Sequence, residues 1–158
     1  MKADLSALQL DFFGFDRLLV EANPEYDPSR DSDRLFCPEV DIHVGEEPDE
    51  EGMWNVNILV EADAEHDLGV EWACVPYSFR VLVVGFFRVP ADMEPEQRFW
   101  LTHMNAPAIL YGLARAEVAR LTAMNRFGQM ILPSIDLIAM AREIREAEEL
   151  AKEDAAPE

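Results

Sequence analysis

Cysteine is scarce: Cys37 and Cys74 are the only two among 158 residues. Two are too few for the disulfide framework of a small secreted domain. Basic residues are scarce as well. Thirteen Lys and Arg stand against 32 Asp and Glu, a formal net charge of −19 at pH 7. Such a field repels phosphate, which argues against nucleic acid and anionic membrane surfaces as partners. The histidines are three, His43, His66 and His103. None lies in an H-x-x-x-H or H-E-x-x-H spacing, and there is no C-x-x-C, so no metal and no cofactor are expected. Seven glycines build no phosphate-cradling loop, and no serine stands in a nucleophile elbow. No apolar run approaches the roughly 18 residues of a membrane span. The opening Met1-Lys2-Ala3-Asp4 lacks the basic and then apolar build of a signal peptide. The expectation is a cytoplasmic protein that does not insert into a membrane.

What is present is the material of a folded domain. Hydrophobic residues make up 49% and charged residues 28%, which are globular proportions. The length is that of one domain with a true core. Residues 1–151 are expected to form it, with 152–158 as an acidic tail that frays.

The first half reads as strands. Over Ala7–Ala22, Leu8, Leu10 and Phe12 alternate with Gln9 and Asp11, and Leu18 and Val20 alternate with Arg17 and Glu21. That is the period of a half-buried strand, with Gly14 as the expected bulge. Asn23–Arg34 reads as a loop. A short strand follows over Glu39–Val44, then an acidic turn, Gly45–Gly52. Met53–Ala64 places Trp54, Val56, Ile58, Val60, Ala62 and Ala64 on one face. Asp67-Leu68-Gly69 is the expected hairpin turn. Val70–Val89 is the last strand, apolar on both faces from Phe79 to Phe87, as a strand covered on both sides would be. Pro76 suits an edge or a bulge.

The second half reads as helices. Asp92 or Glu94 can cap the first, with Pro95 in its first turn. Trp100, Met104, Tyr111, Ala114, Val118 and Leu121 form one face. Pro107 should interrupt it, with Asn105 capping a restart, and Gly128 should stop it. Ser134 should open a last helix with the stripe Leu137, Met140, Ile144, Ala147 and Ala151. Strands followed by helices define an α+β domain: a four-stranded antiparallel sheet with two helices packed on one face.

Charge is unevenly placed. Residues 39–71 hold twelve acids and no Lys or Arg, whereas residues 96–126 hold four arginines and two glutamates. The acidic half can be a solvated face or can steer a basic partner. Glu65-His66-Asp67 fits a solvated turn better than a metal site. Carboxylates are so many that pairing them identifies no acid–base couple, and the cysteines lack a base neighbour in sequence. No enzyme is indicated. Apolar surface is the stronger signal. Phe127–Pro133 is almost wholly apolar between two helices, and methionines 104, 124, 130 and 140 accompany it. Methionine suits surfaces that adapt to varied partners.

These features together resemble the SecB family of export chaperones. Ala108-Ile109-Leu110-Tyr111-Gly112-Leu113-Ala114-Arg115 is similar to the family's Asn-Ile-Leu-Phe-Pro-Tyr-Ala-Arg. Phe127-Gly128-Gln129-Met130-Ile131-Leu132-Pro133-Ser134-Ile135-Asp136-Leu137 resembles its Phe-Pro-Gln-Leu-Asn-Leu-Ala-Pro-Val-Asn-Phe. Gly85-Phe86-Phe87 resembles Gly-Ile-Phe, Val20-Glu21-Ala22 resembles Phe-Glu-Ala, and Cys37-Pro38-Glu39-Val40 resembles Gln-Pro-Glu-Val. The order of the five blocks is more specific than any one of them.

The resemblance implies a four-stranded antiparallel sheet with two helices, oligomerising through sheet and long helix as a dimer of dimers. It implies ATP-independent capture of unfolded or extended polypeptides in apolar grooves, in export or for dedicated clients such as an antitoxin. The groove is expected from Phe99, Trp100, Leu110, Phe127, Met130, Ile131, Leu132, Ile138 and Met140. The oligomer contact is expected from Phe12, Phe13, Tyr111, Arg115 and Val118. The family meets its motor SecA through acids on the outer sheet face, at positions that align with Arg17, Glu21, Ser78 and Arg80. Arg17 and Arg80 reverse that charge, which argues against docking of SecA in the usual manner. The other readings are a small apolar-ligand-binding α+β protein or enzyme, and a self-assembling structural oligomer.

Overall fold

The computed structural model describes residues 5–30 and 35–154. Four strands, β1 (Gln9–Ala22), β2 (Glu39–Val44), β3 (Met53–Ala62) and β4 (Tyr77–Arg88), form one antiparallel sheet in the order β1-β4-β3-β2. The two central strands carry the core. Val56, Ile58, Val60 and Ala62 of β3 and Tyr77, Phe79, Val81, Val83 and Phe87 of β4 are buried on one face. Their period of two puts Asn55, Asn57 and Glu61, and Ser78 and Arg80, on the other.

β1 departs from the expected pattern. The register shifts between Leu10 and Phe12 and between Phe15 and Arg17, so Asp11 and Asp16 are the bulged residues, and Gly14 pairs regularly with Val84. A solvated Asp tolerates the extra residue at a sheet edge. The connection from β3 to β4 also differs. No tight hairpin forms. The ladder ends at Ala62↔Phe79, because Asp63 turns the chain by accepting the Glu65 amide at 2.8 Å. The Asp67–Gly69 turn lies within the long connection that follows, with Gly69 at φ +69. Pro76 directly precedes β4, so the ladder loses no donor. Asn23 ties this connection to the end of β1. Its amide side chain donates to the carbonyls of Trp72 (3.0 Å) and Val75 (2.8 Å), and its backbone amide donates to Pro76 (2.9 Å).

The helical layer starts at α1 (Pro95–Trp100), with Glu94 as N-cap residue and Pro95 in the first turn. Pro107 does not break the rod. A π turn over Leu101–Asn105 precedes α2 (Ala106–Thr122), and the Ala106 amide donates to Leu101 five residues back. The wider turn absorbs the donor that Pro107 lacks, so Asn105 caps nothing. Leu110, Tyr111, Ala114, Val118 and Thr122 form the inward stripe of α2. The helix lies close to β4 at Gly85, where an added Cβ would stand 2.8 Å from Leu110 Cδ2 and 2.7 Å from Phe87 Cε2.

The expected stop at Gly128 comes late, since α2 ends at Thr122. Residues 123–136 cross back without regular structure, pinned at three points. The Thr122 hydroxyl accepts from the Met130 amide at 2.8 Å. The Tyr77 hydroxyl donates to Gly128 at 2.8 Å and accepts from the Phe127 amide at 3.1 Å. The Tyr111 hydroxyl donates to Pro133 at 2.7 Å. α3 (Leu137–Asp154) is opened by Asp136, not Ser134: its carboxylate accepts from the amides of Ile138 (3.1 Å) and Ala139 (3.0 Å). Three of the residues expected in the tail, 152–154, continue this helix, and 155–158 lie outside the described residues.

Candidate functional site

The sheet has two open edges, β1 and β2, and apolar surface gathers at both. At β2 the ladder with β3 fixes which groups face outward. Gly45 donates to Asn55 at 2.9 Å, so residues 45, 43, 41 and 39 bond to β3 and the alternate residues do not. Val40, Ile42 and Val44 therefore direct their amides and carbonyls away from the sheet. Their side chains face the helical layer, where two clefts follow one another along the strand. One, about 160 Å3, is lined by Val40, Asp41, Ile42, Met140, Glu143 and Ile144. The next, about 240 Å3, is lined by Val44, Gly45, Glu46, Trp54, Pro95, Arg98, Phe99, Thr102 and His103.

The second cleft has a rigid wall. The Phe99 and His103 rings stack 4.2 Å apart, one helical turn from each other. His103 Nδ1 lies 2.9 Å from the Thr102 hydroxyl and 3.2 Å from the Phe99 carbonyl. Trp100 meets Phe99 edge to face at 5.7 Å. Arg145 of α3 reaches over Phe99 and lies 3.5 Å from Glu96. The acidic turn after β2 puts Glu46 at the mouth. Among the described residues no group of His, Cys, Asp and Glu could hold a metal ion, and both cysteines are free thiols.

The nine residues expected to line one groove do not come together. Leu110, Met130 and Leu132 are buried in the chain's own core, because the stripe of α2 and the pinned connection both turn toward the sheet. That expectation is corrected for these three. Phe127 is held by Tyr26 (4.7 Å between centroids), Tyr77 (5.9 Å) and the Arg126 guanidinium (4.3 Å). It lies beyond the far end of α2 from Phe99, a helix length of about 35 Å at 1.5 Å per residue. Ile131 is 63% exposed near it. Phe99 and Met140 line the clefts beside β2 instead, with Trp100 against Phe99 and Ile138 exposed at the start of α3. Sequence reasoning missed Val40, Ile42, Val44, Trp54 and Ile144. The strand alternation was visible, but not that β2 is an edge.

Of the expected contact residues, Tyr111 and Val118 are also buried in the core, since they occupy the inward stripe. That placement too is corrected. Burial pushes the Tyr111 phenol up to about 12, with the Arg115 charge opposing. Arg115 is half-buried, and its Nε has no hydrogen-bond partner among the described residues. Phe12 and Phe13 do lie open on β1, with Leu18 and Leu19. Phe12 (62% exposed) and Leu19 (47%) face the outer side, and Phe13 (40%) and Leu18 (37%) the helical side.

Arg17, Glu21, Ser78 and Arg80 do share the outer face, since Glu21 pairs with Ser78, Leu19 with Arg80 and Arg17 with Leu82. Arg80 is engaged by Glu61. A shallow cleft of about 380 Å3 lined by Leu19, Glu21, Asp63, Glu65 and Arg80 lies there. Nearby, His66 Nδ1 lies 2.7 Å from Asp63 and its Nε2 lies 3.4 Å from Glu39. No helix among the described residues is long and apolar enough to cross a membrane.

No family model and no curated protein matches the chain. Solved structures do. A SecB-like chaperone of Mycobacterium tuberculosis, in complex with a peptide from an antitoxin, superposes with a TM-score of 0.54 at 12% identity, over 82% of this chain and 88% of that one. A protein of unknown function from Streptococcus agalactiae gives a TM-score of 0.49 at 10% identity, over 81% and 97%. The α+β fold, a four-stranded antiparallel sheet with a long and a second helix, is thus SecB-like.

Proposed function

We propose that this protein is an ATP-independent holding chaperone that takes up unfolded or extended polypeptide along β2. The carrying observation is the pair of successive clefts beside an edge strand, walled by Trp54, Phe99, Met140 and Ile144. They suit side chains of an extended segment better than one compact small molecule, because they are open, shallow and in line. An unfolded chain hides apolar area there at about 25 cal/mol per Å2, and no sequence code is needed. The net charge of −19 favours solubility of a loaded complex. The Mycobacterium neighbour holds an antitoxin peptide, so a segment of that kind is the first dedicated client to try. Export clients are the second.

The protein assembles with itself in this reading. β1 exposes apolar side chains on both faces, more than an isolated edge strand tolerates. The outer side of α2, with Ala108, Ile109 and Gly112 exposed, allows a second helix to approach closely. A dimer of dimers uses both surfaces. SecA docking through Glu21 and Ser78 is disfavoured, because Arg17 adds positive charge to that face and Arg80, paired with Glu61, leaves no acid at its own position.

The test is aggregation of a chemically unfolded, unrelated protein, followed by turbidity. The wild-type chain is expected to delay it at near-equimolar ratio. A double variant, Met140→Glu with Ile144→Glu, is expected to lose most of the effect while keeping its helix content. No delay by the wild-type chain would overturn the reading.

A further inference from the structure

The outward edge of β2 offers three amides and three carbonyls, those of Val40, Ile42 and Val44. Among the described residues none of them is bonded to another part of the chain. Their side chains line the two clefts. We propose that the bound segment adds to β2 as a fifth strand, so that client main chain is recognised as well as client side chains. This rests on the chaperone reading above and goes beyond it by naming the binding mode.

The geometry sets the segment. In an antiparallel addition, the residues opposite Val40, Ile42 and Val44 exchange both hydrogen bonds with them. Their side chains fall on the same side of the sheet, into the clefts. Alternate residues of about six, at 3.4 Å rise, span the strand. Apolar side chains belong at those positions. The residues between them stand on the outer face next to Glu39, Asp41 and His43, where Lys or Arg complements the two acids. The same charges disfavour a second copy of this chain as occupant, because each copy carries a net charge of −19 and brings its own Glu39 and Asp41 to the shared edge. β1 is a poorer edge for addition, since two bulges interrupt it, while β2 pairs without a shift.

The test uses the full chain and three synthetic peptides of eight residues that alternate Val and Lys. One is unmodified, one is N-methylated at its valines, and one at its lysines. Main-chain pairing puts the valine amides on β2 and the lysine amides outward. The unmodified and lysine-methylated peptides are expected to bind alike, and the valine-methylated peptide at least about tenfold more weakly, as loss of two or three hydrogen bonds implies. Ile42→Pro removes an outward amide that β3 does not use, a place where an edge strand tolerates proline. It is expected to weaken the unmodified peptide about tenfold at unchanged native mass.

Equal binding of the two methylated peptides would overturn strand addition and leave the chaperone reading intact. So would capture of unfolded protein with no binding of any peptide. A fall in native mass of Ile42→Pro would assign the edge to a second copy. Failure to capture unfolded protein at all would remove both readings.

Discussion

Tyr111 is a phenol on the inward face of α2, tied by its hydroxyl to the Pro133 carbonyl. Its pKa rises from 10.0 to about 12 because burial penalises the phenolate. The folded chain then keeps a proton that the unfolded chain releases between those values. Stability is full below pH 10 and falls from there to pH 12, by an amount on the order of 2 to 3 kcal/mol. A melting series across pH 8–12 should show the fall, and Tyr111→Phe should flatten it. Gly85 makes a second claim. Its missing Cβ leaves space that Leu110 and Phe87 fill, and both are fully buried. Gly85→Ala should lower unfolding free energy by about 1–3 kcal/mol in urea, as overpacking does. The sequence marked both residues but not these reasons. Tyr111 read equally well as an oligomer contact, because helical spacing defines a stripe without saying what covers it.

At the level of elements, patterns with one strong period were legible and their ends were not. β2 and the start of β3 lie where the alternation put them, since Trp54, Val56, Ile58 and Val60 have one face to bury. The hairpin at Asp67 was not to be found, because Asp63 turns the chain earlier by a side-chain hydrogen bond that leaves no periodic trace. Pro107 read as a break, and the π turn that accommodates it has no signature in composition. The start of α3 was misplaced by two residues for a similar reason: Ser134 and Asp136 are both good cap residues, and only Asp136 meets the free amides. Asp136→Ala should cost about 1 kcal/mol, with faster hydrogen exchange in the first turn of α3. Thr122 pins the preceding connection by bonding to both Val118 and Met130. Thr122→Val should strand the buried Met130 amide and cost about 1–3 kcal/mol, measured by the same urea titration.

For the whole molecule, the α+β class and the SecB-like architecture were readable from five short blocks in order, and the site was readable only in part. Residues such as Leu132 and Phe99 look alike in a sequence, yet one closes the core and the other walls a cleft. What separates them is which sheet edge stands nearby, and strand order is not written in local patterning. The same limit hid Val40, Ile42 and Val44. Apolar side chains on both faces of β1 imply a further prediction. Phe12→Asp together with Leu18→Asp should reduce native mass by half or more without changing the circular dichroism of the fold. Capture of unfolded chains is read by light scattering of the native protein, alone and after mixing with a chemically unfolded client. A particle of several 18.0 kDa chains is expected to gain the client's mass and keep it in solution. A particle of unchanged mass beside a precipitated client would contradict it.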